Sequence, residues 1–125
     1  MRLLADTHIV YWFFLEPEKL PPAARKHLDA ASAVYVSAAS IWEIAIKVKL
    51  GKLKADPERL VQRIDASGMR ELPVFSRHTA LVANLPLLHS DPFDRLLIAQ
   101  AISEPLHLLT VDPQLRQYSE LVIQV

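Results

Sequence analysis

Short apolar runs alternate along this chain with longer segments in which apolar residues recur every three or four positions. Arg2 to Ala5 is the first run and reads as a buried strand; Asp6-Thr7-His8 turns from it into a helix carrying Ile9, Val10, Trp12, Phe13 and Phe14. Pro17 and Pro21-Pro22 punctuate the chain. An Ala-rich helix is predicted over Pro22 to Ala31, and Ala33 to Val36 reads as a second strand. Ser37 is placed to cap a long helix from Ala38 to Leu50, which Gly51 terminates. Asp56-Pro57-Glu58 opens another helix, with Leu60, Val61 and Ile64 at helical spacing and Gly68 closing it. Arg70 to Val74 is a short strand that Pro73 consigns to a sheet edge. A helix over Ser76 to Leu85 and a loop over Pro86 to Ser90 precede a helix capped by Asp91-Pro92 and running to about Ser103. Leu106 to Val111 is a strand, Asp112 to Tyr118 a short helix and Leu121 to Val125 the final strand.

Strands that are solid apolar runs, alternating with helices, imply an α/β fold with a mainly parallel central sheet covered on both faces. At 125 residues the chain is expected to form one domain, residues 1–125, with a core large enough to need no disulfide staples. In such sheets, sites form beyond the carboxyl ends of the strands. Asp6, after the first strand, and Asp112, after the run Leu108-Leu109-Thr110-Val111, fall on that edge.

Composition narrows the chemistry. No cysteine is present, which excludes disulfides, thiolate zinc sites and cysteine nucleophiles and suits a reducing compartment. The stretch Leu3 to Leu15 lacks the form of a signal segment, because Asp6 and His8 interrupt it and no small-residue cleavage site follows. No apolar run is long enough to span a bilayer, so a cytoplasmic protein is expected. Only Gly51 and Gly68 occur, so there is neither a GxGxxG fingerprint nor a P-loop. With 14 basic and 14 acidic residues, global charge favours no nucleic-acid partner. The one local bias is Lys47, Lys49, Lys52 and Lys54, which reads either as a solvated helix end or as a phosphate-tracking patch beside a site.

Four acidic residues stand out. Asp6 and Asp112 end strands. Glu43 lies inside a helix among Ile41, Trp42, Ile44 and Ile46, past any capping position, and an i,i+4 pair with Lys47 is worth only about 0.3–0.5 kcal/mol. Asp94 opens the apolar stretch Leu96-Leu97-Ile98-Ala99. Helix capping competes as an explanation: Asp56, Asp91 and Asp112 each precede proline, and a cap contributes roughly 1 kcal/mol. Carboxylates gathered at one sheet edge repel and are costly to desolvate unless a cation neutralises them. An oxygen-only donor set favours Mg²⁺ or Mn²⁺. The histidines are scattered: His8 is placed to touch a substrate, while His27, His78, His89 and His107 read as surface or packing residues. Tyr11 to Phe14 and the helix bearing Trp42 are apolar around much of their girth, which calls for burial against a second copy or another protein.

Four segments carry a family resemblance: Leu3-Leu4-Ala5-Asp6-Thr7-His8; Ser37 to Ile44 continuing through Lys47 to Leu53; Asp91-Pro92-Phe93-Asp94-Arg95-Leu96-Leu97-Ile98-Ala99-Gln100-Ala101; and Leu109-Thr110-Val111-Asp112. The middle two, in this order and spacing, are the specific ones. Together they resemble PIN-domain ribonucleases, in particular the VapC-type toxins of bacterial toxin–antitoxin pairs. That resemblance implies a three-layer α/β/α domain and a Mg²⁺- or Mn²⁺-dependent endoribonuclease. It also implies an RNA substrate, a homodimeric assembly and inhibition by a cognate antitoxin. The family's acids fall on Asp6, Glu43, Asp94 and Asp112, as catalytic and metal-binding residues. Asp91 competes with Asp94 for the third position, and Asp94 is preferred because it leads the apolar helix. Arg95, Lys47 and Thr7 are secondary candidates for phosphate contact or support of the ligands. The alternative is a non-nucleolytic α/β domain, receiver-like or partner-binding.

Overall fold

Leu3 and Leu4 are both wholly buried, yet they serve different halves of the molecule because successive strand residues point to opposite faces. In the computed structural model, which describes residues 1–125, they lie on the central strand of a five-stranded sheet. The strands are β1 (Arg2–Ala5), β2 (Ala33–Ser37), β3 (Arg70–Leu72), β4 (His107–Thr110) and β5 (Val122–Gln124). Their order is β3-β2-β1-β4-β5, and every neighbouring pair is parallel. The sheet expected to be mainly parallel is therefore parallel throughout.

One core contains Leu3, Ala5 and Leu109 from the sheet, with Ile9 and Phe14 of α1 (Thr7–Leu15), Leu28 of α2 (Pro22–Ala30), Ile44 of α3 (Ala38–Lys49) and Leu60 of α4 (Pro57–Ala66). The other joins Leu4 and Leu108 to Leu97, Ile98 and Ala101 of α6 (Pro92–Ser103) and to Leu115 of a 3-10 turn over Pro113–Gln117. Between β3 and α6 the short helix α5 (Ser76–Leu81) completes the second layer. The result is a three-layer α/β/α fold. Each fully buried leucine or isoleucine contributes roughly 1.5–3 kcal/mol.

Local departures from the sequence pattern have physical causes. β3 stops at Leu72 because Pro73 has no N–H for the ladder, and it is an edge strand. The helix expected over Ser76 to Leu85 is α-helical only to Leu81 and tightens into a 3-10 turn over Val82–Asn84 ahead of Pro86. Asp112 to Tyr118 forms a 3-10 turn, opened by the Asp112 carboxylate accepting from the Gln114 N–H. α3 ends in a Schellman motif: Gly51 takes φ 74°, its N–H donates to Val48 O, and the Lys52 N–H donates to Lys47 O at 2.8 Å. No helix is long and apolar enough to cross a membrane.

The chain leaves β1 toward β2 on one side, and β4 returns on the other. Strand order therefore reverses at the β1–β4 seam, where α/β sheets open a crevice beyond their carboxyl ends.

Candidate metal centre

Asp6 follows β1 directly, and its backbone N–H extends the ladder by donating to Leu109 O at 3.0 Å. Its side chain is almost fully buried, at 3% exposure. Oδ1 accepts from the Ile9 N–H, capping α1, and Oδ2 accepts from the Thr110 hydroxyl across the seam. Burial raises the Asp6 pKa above its ordinary value, as does the nearby Glu43 charge; the two hydrogen bonds act the other way.

Thr110 also joins Asp6 to Asp112. While its hydroxyl donates to Asp6, it accepts the Asp112 N–H at 3.0 Å, so the two strand-end acids share one intermediary. Asp112 caps the following 3-10 turn with Oδ1 and points Oδ2 at His89, 3.1 Å from Nε2.

Glu43 enters from α3. Oε2 pairs with Lys47 Nζ at 2.9 Å, one helical turn on, while Oε1 is buried with no partner. Beside it, Thr7 Oγ1 donates to Ser40 Oγ at 3.0 Å, tying α1 to α3. The local Glu–Lys pair anticipated from spacing is present, but the carboxylate is 5% exposed, and the unpartnered oxygen is the costly part.

Asp94 lies in the first turn of α6. Asp91 caps that helix, accepting from the Phe93 and Asp94 N–H groups at 2.8 and 3.2 Å. The Asp94 pKa is pushed up to about 7, first by burial and then by the charges of Asp91, Asp6 and Glu43, with His89 opposing. Asp94 therefore feels three other carboxylates across the crevice.

The four acids do not form one tight ring. One ligand atom each from His89, Asp94 and Asp112 lie within 4.8 Å of one another, and Asp6 and Glu43 are not part of that group. His89 Nδ1 accepts the Asp91 N–H at 3.1 Å, so Nε2 carries the ring proton and donates to Asp94 and Asp112 at 3.3 and 3.1 Å. In this geometry the ring bridges the two acids as a donor.

One expectation is corrected here: His89, read from the sequence as a surface or packing residue, sits within the acidic cluster. Arg95, a candidate for phosphate contact or support of the ligands, is 9% exposed and bonds on the loop side. It donates to the Pro86 and Val82 carbonyls at 2.8 and 3.2 Å and to the Tyr118 hydroxyl at 3.2 Å. The same hydroxyl accepts the Leu88 and His89 N–H groups, so Arg95 and Tyr118 together shape the loop that delivers His89. By contrast, His78 is a packing residue as expected: fully buried, it lies 2.6 Å from Glu104, whose pKa falls through that contact and the nearby Arg77. Thr110 carried no signal beyond its place in an apolar strand run.

The model of the PIN domain family matches residues 3–121, and the chain belongs to that family. It is 30% identical over 122 residues to ribonuclease VapC22 of Mycobacterium tuberculosis, an alignment covering 93% of this chain and 91% of that protein. The fold is shared with VapBC2 of Rickettsia felis, solved bound to a promoter DNA fragment. There the TM-score is 0.69 at 16% identity, with 100% of this chain and 98% of that one covered. A toxin–antitoxin complex from Klebsiella pneumoniae superposes with a TM-score of 0.64 at 19% identity, covering 98% and 96%. PIN membership replaces the receiver-like alternative.

Proposed function

We propose that the protein is a metal-dependent endoribonuclease, the toxin of a toxin–antitoxin pair, with Asp6, Glu43, Asp94 and Asp112 as its working carboxylates. The observation that carries this reading is the unpartnered, buried Glu43 Oε1 beside Asp94, whose pKa is pushed up to about 7 by burial and then by its acidic neighbours. Carboxylates so placed lack positive charge in the chain itself, since Lys47 is the one cation bonded to any of the four. PIN family membership and the VapC22 relative supply the reaction class.

The donor set fits a hard divalent cation, Mg²⁺ or Mn²⁺. Asp94 and Asp6 would hold it directly, and Glu43 and Asp112 would bind a second ion or its waters. When bound, the cation supplies a water of lowered pKa and stabilises charge on the phosphodiester. The chain's own residues do the rest. Thr110 fixes the Asp6 rotamer, His89 sets the spacing of Asp94 and Asp112, and Lys47 orients Glu43 from the rim, where its exposed side can meet a phosphate oxygen.

Partners follow from the relatives. VapBC2 and the Klebsiella pneumoniae protein are toxin–antitoxin complexes, and a cognate antitoxin is proposed here, in the cytoplasm. A homodimer would cover Trp42, which is 61% exposed and packs edge-on against Phe93 with ring centroids 5.1 Å apart. Incubating purified protein with RNA in Mg²⁺ or Mn²⁺ tests the reading: internal cleavage that EDTA stops is expected, and intact RNA in both metals contradicts it.

A further inference from the structure

A cleft of about 180 Å³ opens beside the carboxylates, between α1 and the turn that follows α3. Its floor is aromatic: His8, exposed, and Trp12, half-buried, stand one helical turn apart with ring centroids 5.6 Å apart. Lys47 and Leu53 form the opposite wall. The far end carries Glu16 and Lys19, an ion pair at 3.1 Å that offers one acceptor and one donor. The turn is held in place, because the Schellman motif at Gly51 folds it back and the Tyr11 hydroxyl donates to Lys54 O at 3.4 Å.

Two features tie this cleft to the carboxylates. Lys47 lines it while bonding Glu43, and Thr7, the residue after Asp6, lines it too. Lys52 and Lys54, both exposed and in no ion pair, flank the lining residue Leu53 in the chain. Cations tracking a backbone beside an aromatic face are how proteins hold single-stranded nucleic acid; each base stacks without regard to sequence.

We propose that this cleft is a nucleobase subsite for single-stranded RNA. It takes the ribonucleotide next to the phosphodiester held at the carboxylates, with the base on the His8–Trp12 face and the backbone following Lys47, Lys52 and Lys54. The proposal rests on the ribonuclease reading and extends it to where the substrate lies.

The chain has two tryptophans, so Trp42→Phe leaves Trp12 as the single tryptophan, read by excitation beyond the tyrosine band. In EDTA, where the metal-dependent cleavage is stopped, an RNA hexamer is expected to quench Trp12 saturably, and an abasic hexamer to leave it bright. In Mn²⁺, His8→Ala is expected to raise KM for RNA about 5-fold or more while kcat changes less than 2-fold. Lys52→Gln with Lys54→Gln should flatten the slope of log KM against log salt by roughly 1. Undimmed Trp12 at saturating hexamer, or an unchanged KM in His8→Ala, overturns the subsite. So does an unchanged KM accompanied by weaker binding of His8→Ala to the protein encoded by the adjacent reading frame, which gives the cleft to a protein. The fluorescence is read without turnover. Quenching of Trp12 in Trp42→Phe beside a wild type that cuts no RNA therefore overturns the ribonuclease reading alone, and an active wild type beside undimmed Trp12 in Trp42→Phe overturns the subsite alone.

Discussion

The Thr110 hydroxyl donates to the Asp6 carboxylate across the seam between β4 and β1. The same oxygen receives the Asp112 N–H, so one side chain sets two acids that lie more than a hundred residues apart in sequence. Thr110→Val keeps the shape and removes both bonds. Asp6 then loses the contact that most opposes its burial, and its pKa rises further. Metal affinity and kcat are each expected to fall by about 10- to 100-fold with little change in the circular dichroism spectrum. Isothermal titration with Mn²⁺ and an RNA cleavage assay check this.

Asp94→Asn exchanges a charge that its neighbours oppose for a neutral amide. In EDTA at pH 8 the variant should be more stable than wild type by roughly 1–2 kcal/mol, a rise in Tm of a few degrees. It should also lose metal binding. A lower Tm under those conditions would show that the acids are not in electrostatic conflict.

Stability should fall with rising pH in the metal-free protein. The Asp94 pKa is raised to about 7 in the fold against 3.8 for the free side chain, so the folded state binds the extra proton between those values. More protons on the native state means stability declines as pH climbs through about 4 to 7, on the order of 1–3 kcal/mol in total. Metal binding runs the other way. It needs the ionised carboxylate, so affinity weakens as pH drops below about 7 and binding releases protons near that pH. Denaturant titrations at pH 5 and pH 8, with and without Mn²⁺, read both trends.

Tyr118→Phe removes the acceptor of the Leu88 and His89 N–H groups and a partner of Arg95. A cost of about 1–3 kcal/mol in stability is expected, with looser placement of His89 and a drop in kcat. Hydrogen exchange of the His89 amide should quicken selectively, and a rate equal to wild type would show that the loop holds without Tyr118.

Much of this architecture is legible from residue patterns. Asp6 and Asp112 stand where apolar strands end, and Glu43 has too little local reason to lie among isoleucines. All three reach the crevice. The proline after each of Asp56, Asp91 and Asp112 marks a cap, and all three caps form. His89 was not legible because its role depends on a loop path set by Arg95 and by Tyr118, which is 29 residues from it in sequence. For Arg95 the sequence leaves phosphate contact and support of the ligands both open, and only the packing of α6, which turns the guanidinium toward the loop carbonyls, decides between them. Thr110 looks like any strand residue until β1 lies next to β4.

Whether these carboxylates carry RNA cleavage is decided by Asp6→Asn. The amide keeps the cap on α1 and the Thr110 contact within reach, so the fold and Tm should match wild type. The initial rate of RNA cleavage in Mn²⁺ should fall by at least about 100-fold. A folded Asp6→Asn protein that cleaves at the wild-type rate would show that cleavage does not depend on the Asp6 carboxylate.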